Sequence, residues 1–163
     1  MVLSNEILGF AAEIVDHLRQ RGETISTAES LTAGAVSSAI VSISGASEVF
    51  VGGLTAYRDE IKVSHLNVDP ELIKKYSVIS EEVAVAMANG AIKSFSTTWA
   101  IGTTRVAGPN PVDAHPVGVV WVAISGPINQ TIELALSGER ESVRNAATAS
   151  AIATFARILR HRV

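Results

Sequence analysis

The chain has 163 residues, of which 47% are hydrophobic and 18% charged, a balance typical of a compact globular domain rather than a disordered segment. A formal net charge of -3 argues against a general attraction to nucleic acid or anionic membranes, and the absence of cysteine excludes disulfides, thiolate catalysis and cysteine-ligated metals. The sequence shows no apolar run of the ~20 residues that span a bilayer and no secretory signal, so we expect a cytoplasmic protein without membrane partners.

Hydrophobic periodicity predicts six helices and five strands along the chain. Ser4, Asp69 and Ser80 suit helix N-caps, and Gly22 suits the end of the first helix. The predicted helices span 4–21, 33–43, 58–66, a segment starting at 69–70, 81–95 and 139–162, and the predicted strands span 24–28, 50–57, 98–104, 117–125 and 130–136.

The order of these elements predicts the fold class. Strands that alternate with helices indicate an α/β fold with parallel strand pairs. The turn "SGPIN" joins the last two strands as a hairpin, which makes the sheet mixed. Gly52 and Gly53 indicate a bulge or a close backbone approach in the second strand. The segment "RVAGPNPVDAHP", 105–116, is predicted to be a loop beside a site, and no linker or repeat divides the chain.

Ser30 lies where the first predicted strand passes into a helix, in the stretch "STAESLTAGAVSSAI". A serine there can act as a nucleophile, with the unpaired N–H groups of the first helical turn as an oxyanion hole. The alternative is that Ser30 or Thr32 only caps the helix, a common role for these residue types.

A nucleophilic serine needs a base, and two residue types remain open. Of the four histidines, only His65 and His115 lie near predicted site segments, and no Ser–His–Asp order is evident. Lysine can serve if burial keeps it neutral, and "TAYRDEIK" places Tyr57 and Lys62 just after a strand. The alternative is that Lys62 is an ordinary surface lysine.

The start of the last predicted helix carries two arginines, Arg140 and Arg144, four residues apart and therefore on one face. Such a pair can bind a phosphate or a carboxylate, or it can form ordinary ion pairs with Glu139 and Glu141. The sequence contains no dinucleotide or P-loop motif and no convincing metal spacing, so neither a metal nor a cofactor is expected.

Taken together, five motifs resemble the CinA C-terminal-domain family in order and spacing over about residues 5–160. They are "TAESLTAG", "FVGGLTAYRDEIK", "ISEEVAVAMANGA", "AGPNPVDAHPVGVVWVAI" and "SGERESVRNAAT". The resemblance implies one α/β/α sandwich over 1–163, with three layers and a mixed, mostly parallel sheet of about five strands. It also implies a competence/damage-inducible type of protein, frequent homodimers, and an amidohydrolase that converts nicotinamide mononucleotide to nicotinate mononucleotide and ammonia without a metal.

The resemblance also implies roles for individual residues. Ser30 matches the nucleophile, Lys62 its base and Tyr57 a nearby catalytic tyrosine. The implied or expected substrate-binding residues are Thr32, Gly34, Thr104, Arg105, Gly108, Arg140 and Arg144. Backbone N–H groups near 31–34 are expected to hold the oxyanion.

Four positions depart from the family pattern. Leu31 and Ala33 replace a cysteine and a glycine, Arg105 replaces a glycine in the "TRVAGP" loop, and His115 replaces a lysine. A Cβ at Ala33 or Arg105 is strained if the backbone needs a positive φ. We therefore expect weak activity on nicotinamide mononucleotide or a preference for a related small carboxamide. The alternative is a non-catalytic CinA-like ligand-binding or partner-binding domain.

Overall fold

The computed structural model describes residues 4–105 and 119–162, and these contain the six helices and five strands that the sequence predicts. One further short 3-10 turn, Ala46–Glu48, lies between α2 and β2. The helices are α1 (Asn5–Arg21), α2 (Ala35–Val41), α3 (Asp59–Leu66), α4 (Pro70–Tyr76), α5 (Glu81–Phe95) and α6 (Arg140–His161), and the strands are β1 (Ile25–Glu29), β2 (Phe50–Thr55), β3 (Trp99–Arg105), β4 (Val119–Ser125) and β5 (Gln130–Ala135).

The five strands form one mixed sheet in the order β2-β1-β3-β4-β5. Strand β1 pairs in parallel with β2 and β3, whereas β4 is antiparallel to both β3 and β5. Four of the five strands therefore run in one direction. The predicted mixed sheet and the predicted hairpin between β4 and β5 are confirmed.

Helices cover both faces of the sheet, which confirms the α/β/α arrangement. On one face, α1, α2 and α6 pack on side chains such as Ile25, Trp99 and Ile101. On the other face, α3, α4 and α5 pack on small residues that include Ala28 and Ala100. The small residues let α5 approach the sheet closely, so the core consists of two apolar layers separated by the strands.

Local capping signals fix several helix ends as predicted. The hydroxyl of Ser4 accepts from Ile7 N, and the hydroxyl of Ser80 accepts from Val83 N at 3.2 Å. Asp69 caps α4, and Gly22 ends α1 in the left-handed region with φ 61°.

Among residues 4–105 and 119–162, the helices lack the combination of length and apolar character that a membrane span requires.

The two neighbouring glycines in β2 have the structural roles that the sequence predicts. The register between β1 and β2 shifts at Ile25, which faces Phe50, while the next residue of β1 faces Gly52. A Cβ on Gly53 would collide with the Thr27 hydroxyl oxygen. Both the bulge and the close approach are therefore present in β2.

Candidate active site

The carboxyl ends of the three parallel strands bring the predicted site segments together. Strands β1, β2 and β3 end at Glu29, Thr55 and Arg105, and hydrogen bonds continue one residue beyond the pairing. Ser30 N donates to Thr103 O at 3.0 Å, and Ala56 N donates to Glu29 O at 2.8 Å. Ser30 and the segment leading to α3 therefore lie at the same edge of the sheet, where α/β folds bind ligands.

Glu29 is the residue that anchors the start of α2, a role the sequence interpretation missed. Its carboxylate is buried and accepts from Gly34 N at 2.9 Å, Val36 N at 3.1 Å and Ser37 N at 2.8 Å. The Ser37 hydroxyl donates a fourth bond at 2.6 Å. A carboxylate at a helix N-terminus satisfies unpaired N–H groups and complements the helix dipole.

The alternative that Ser30 or Thr32 merely caps α2 is wrong. The helix begins at Ala35, two residues later than predicted, and its N-cap Gly34 has no side-chain bond. The Thr32 hydroxyl lies 2.8 Å from the Thr103 hydroxyl on β3. Ser30 is 6% exposed, and its hydroxyl forms no hydrogen bond with another residue in the described parts of the chain.

The turn after Ser30 contains the amides expected to form an oxyanion hole. Gly34 N is engaged by Glu29, whereas the amides of Leu31, Thr32 and Ala33 bond to no residue within 4–105 or 119–162. Ala33 has φ 51°, the left-handed region that disfavours a side chain. The strain expected from the replacement of glycine at this position is therefore present.

Lys62 is 1% exposed, so the alternative of an ordinary surface lysine is wrong. Its ammonium donates to Asp59 Oδ1 at 3.0 Å and to Tyr57 O at 3.3 Å. These bonds hold the amine at the junction of β2 and α3, beside the end of β1. Between Lys62 and Ser30 the described structure contains no hydrogen bond.

His65, the other candidate base within the described residues, lies exposed on α3, with Nδ1 2.7 Å from the Ser64 hydroxyl.

The two arginines at the start of α6 reach across to the site. Arg140 donates to the Tyr57 hydroxyl at 2.6 Å, and Arg144 donates to Thr32 O at 3.2 Å. Neither forms an ion pair with Glu139 or another carboxylate in the described residues. The alternative of ordinary ion pairs is therefore wrong for the described part of the chain.

Two neighbouring threonines of β3, Thr103 and Thr104, point to opposite faces of the sheet. The Thr104 hydroxyl donates to Val78 O at 2.7 Å, while Thr103, one residue earlier, faces Thr32. A substrate-binding role for Thr104 remains a prediction, and Thr103 is a contact that the sequence interpretation missed. Alternation along the predicted strand was the available signal, since neighbouring residues face opposite sides of a sheet.

Arg105 ends β3 in an ordinary strand conformation, opposite Val120. Its backbone φ is not positive, so the backbone strain considered for a side chain at this position is not found. Burial lowers the pKa of its guanidinium, as does the positive charge of Arg140, and Tyr57 has the opposite effect. Gly108 and His115 lie outside the described residues.

Comparison with known proteins gives this site a family context. A sequence model of the family described as "CinA C-terminal domain" matches residues 8–159. The chain belongs to the CinA C-terminal-domain family. A "CinA-like protein" of Prochlorococcus marinus (strain MIT 9215) is 45% identical over 117 residues, which cover 71% of this chain and 28% of that protein. The chain spans only about a third or less of the length of such relatives, 28% and 34% in two cases.

Solved structures of the CinA superfamily match nearly the whole chain. The competence damage-inducible protein A of Klebsiella pneumoniae has a TM-score of 0.91 and 27% identity, covering 98% of this chain and all of that one. A CinA superfamily protein of Escherichia coli has a TM-score of 0.88 and 28% identity, covering 98% and 94%. The fold of the described residues is therefore that of the CinA superfamily.

Proposed function

We propose that this CinA-family domain is an amidohydrolase that acts on nicotinamide mononucleotide or a related small carboxamide. The observation that supports this most directly is the setting of Ser30. Its side chain is buried at the end of β1, the next three amides bond to no described residue, and the buried Lys62 lies at the end of the adjacent strand. A hydroxyl, a nearby amine and free N–H donors are the groups that acyl transfer requires.

In the proposed reaction, Ser30 Oγ attacks the carboxamide carbon while Lys62, as the free amine, takes the hydroxyl proton. The amides of residues 31–33 stabilise the negative oxygen of the tetrahedral intermediate. Protonation of the departing nitrogen by Lys62 releases ammonia and leaves an ester on Ser30. Water then attacks this ester, which gives nicotinate mononucleotide and restores the serine.

The nucleotide is proposed to lie against α6. Arg144 and Arg140 supply positive charge for its phosphate, and Tyr57 orients Arg140 through the 2.6 Å hydrogen bond. Thr32 and Gly34 belong to the turn that would border the reacting amide. Thr104, Arg105 and Gly108 complete the proposed substrate-binding set.

We further propose that the chain works in the cytoplasm as a homodimer.

A second candidate is a non-catalytic ligand-binding or partner-binding domain of the same fold. The observation that favours it is that the Lys62 amine is already engaged, because it donates to Asp59 Oδ1 at 3.0 Å and to Tyr57 O at 3.3 Å. No hydrogen bond joins Lys62 to Ser30 in the described structure. Catalytic hydrogen bonds are often incomplete before substrate binds, so this observation does not outweigh the first proposal.

Ammonia release from nicotinamide mononucleotide by the purified chain tests the proposal. We expect slow but measurable release, and loss of at least 95% of it in Ser30→Ala, roughly the scale set by removal of a nucleophile. Ser38→Ala, an exposed position on α2, is the matched control and should keep wild-type turnover. Tight nucleotide binding without any ammonia would favour the non-catalytic candidate, and an active Ser30→Ala would rule out Ser30 as nucleophile.

A further inference from the structure

The site contains a third arginine, Arg105, on the same face of the sheet as the Thr32 turn. Residues two apart in a strand point to the same face, so Arg105 lies on the side of Thr103. The Thr103 hydroxyl contacts the Thr32 hydroxyl, and Thr32 O accepts from Arg144. The contacts therefore connect the end of β3 with the start of α6 through a single turn.

The three arginines carry positive charge that no carboxylate of the described residues neutralises through an ion pair. None of Arg105, Arg140 and Arg144 has a carboxylate within 4.0 Å in the described parts of the chain. The Nε atoms of Arg105 and Arg144 are buried and lack a hydrogen-bond partner among these residues. The lowered pKa of Arg105, caused first by burial and then by Arg140, agrees with a guanidinium that is partly dehydrated and faces a like charge.

Two of the three arginines suffice for a single phosphate monoester. Such a group carries about 1.5 to 2 negative charges at neutral pH, which Arg140 and Arg144 can balance. Arg105 then remains without an opposite charge among residues 4–105 and 119–162, and its Nε remains without a hydrogen-bond acceptor there. A polar group left unpaired in a buried place costs free energy, which a ligand with a matching anionic group would recover.

We propose that Arg105, together with Arg140 and Arg144, forms a subsite for a second anionic group, so that the preferred ligand carries two neighbouring anionic groups. This inference rests on the site described under the proposed function and narrows its substrate class. The shared chemistry is a paired anion, which a diphosphate or a dicarboxylate can supply. A carboxamide with one phosphate would leave Arg105 unpaired and would be the poorer ligand.

Isothermal titration calorimetry with four small probes tests the subsite: inorganic phosphate, inorganic pyrophosphate, acetate and malonate. We expect wild-type protein to bind pyrophosphate or malonate at least tenfold more tightly than phosphate or acetate, the scale of one charge-assisted hydrogen bond. In Arg105→Gln this preference should fall to threefold or less, while phosphate affinity changes by less than threefold. A preference for pyrophosphate identifies a diphosphate, and one for malonate a dicarboxylate.

Arg157→Gln, an exposed position on α6, is the matched control and should keep the wild-type preference. Equal affinity for single and paired anions, a preference that survives in Arg105→Gln, or no binding of any probe would overturn the inference. The test is independent of catalysis. Paired-anion binding without ammonia release would overturn only the proposed function, and ammonia release with no role for Arg105 would overturn only the subsite.

Discussion

Glu29 and Ser37 are joined twice, because Glu29 Oε1 accepts from the Ser37 amide at 2.8 Å and from the Ser37 hydroxyl at 2.6 Å. The other carboxylate oxygen serves Gly34 and Val36, so one side chain anchors the first turn of α2. Glu29→Gln keeps the shape but places an NH₂ group against backbone donors. We expect a loss of unfolding free energy on the order of 2–3 kcal/mol in urea denaturation, since a buried donor is left unsatisfied.

Glu48→Gln provides the comparison for this prediction. Glu48 is an exposed acid whose carboxylate lies 3.6 Å from Arg19, and its loss should change stability by less than about 0.5 kcal/mol. If the two variants unfold at the same urea concentration with equal m-values, Glu29 does not anchor the helix.

Ala33→Gly should stabilise the chain. A non-glycine residue at φ 51° is strained by about 1–2 kcal/mol, and the greater freedom of glycine in the unfolded chain offsets about 0.5–1 kcal/mol. A net gain of about 0.5–1 kcal/mol remains, which denaturant titration can measure. Ala39→Gly, in the buried interior of α2, should change stability in the opposite direction. A destabilised Ala33→Gly would show that the turn after Ser30 carries no strain.

The sequence predicts the elements of this fold well because their signals are local. Helix α1 shows its apolar face and both caps within residues 4–22, and the Gly52 and Gly53 pair marks the bulge of β2 directly. Helix α2 begins two residues later than the sequence predicts, because the group that caps it, Glu29, comes from the preceding strand. A capping interaction over that separation has no short sequence signature.

The sequence identifies site residues that belong to a recognisable motif, such as Ser30 and Tyr57. It does not predict that Lys62 is buried, because that burial depends on packing around α3 that hydrophobic periodicity does not report. The Arg140 bond to Tyr57 joins residues 83 positions apart. The same limit applies to Arg105, whose extended backbone and whose position beside Arg140 depend on the assembled sheet.

Asp59→Asn should slow hydrolysis if Lys62 is the base. Asp59 Oδ1 accepts from the Lys62 amine at 3.0 Å, so its replacement leaves the amine less well positioned. We expect kcat to fall roughly 10- to 100-fold, the scale of a misplaced catalytic group, with a much smaller change in KM. Lys62→Met should abolish the activity.

Glu60→Gln is the control for this loss, because Glu60 neighbours Asp59 but is exposed and pairs with Arg58 at 2.9 Å. Its kcat should match the wild type. Activity retained in Lys62→Met would contradict Lys62 as base. An unchanged kcat in Asp59→Asn would show that Asp59 does not position the amine.

Arg144→Ala should weaken binding of the nucleotide much more than binding of its phosphate-free riboside. Arg144 Nη2 donates to Thr32 O at 3.2 Å, while its Nη1 bonds to no described residue and can donate to a ligand. Loss of a charge-assisted hydrogen bond costs roughly 1.5–3 kcal/mol, or about 10- to 150-fold in affinity. Calorimetric titration of nicotinamide mononucleotide and of nicotinamide riboside into wild type and variant measures both effects.

The contact with Thr32 gives Arg144 a second, structural role that has to be separated from phosphate binding. If Arg144 only supports the turn after Ser30, its loss should weaken nucleotide and riboside by the same factor, because both ligands contain the amide that the turn would face. Arg157→Ala, thirteen residues further along α6 and exposed, should leave both affinities unchanged. A selective loss of nucleotide affinity in Arg144→Ala alone therefore assigns the phosphate to this arginine, and an equal loss for the two ligands excludes that assignment.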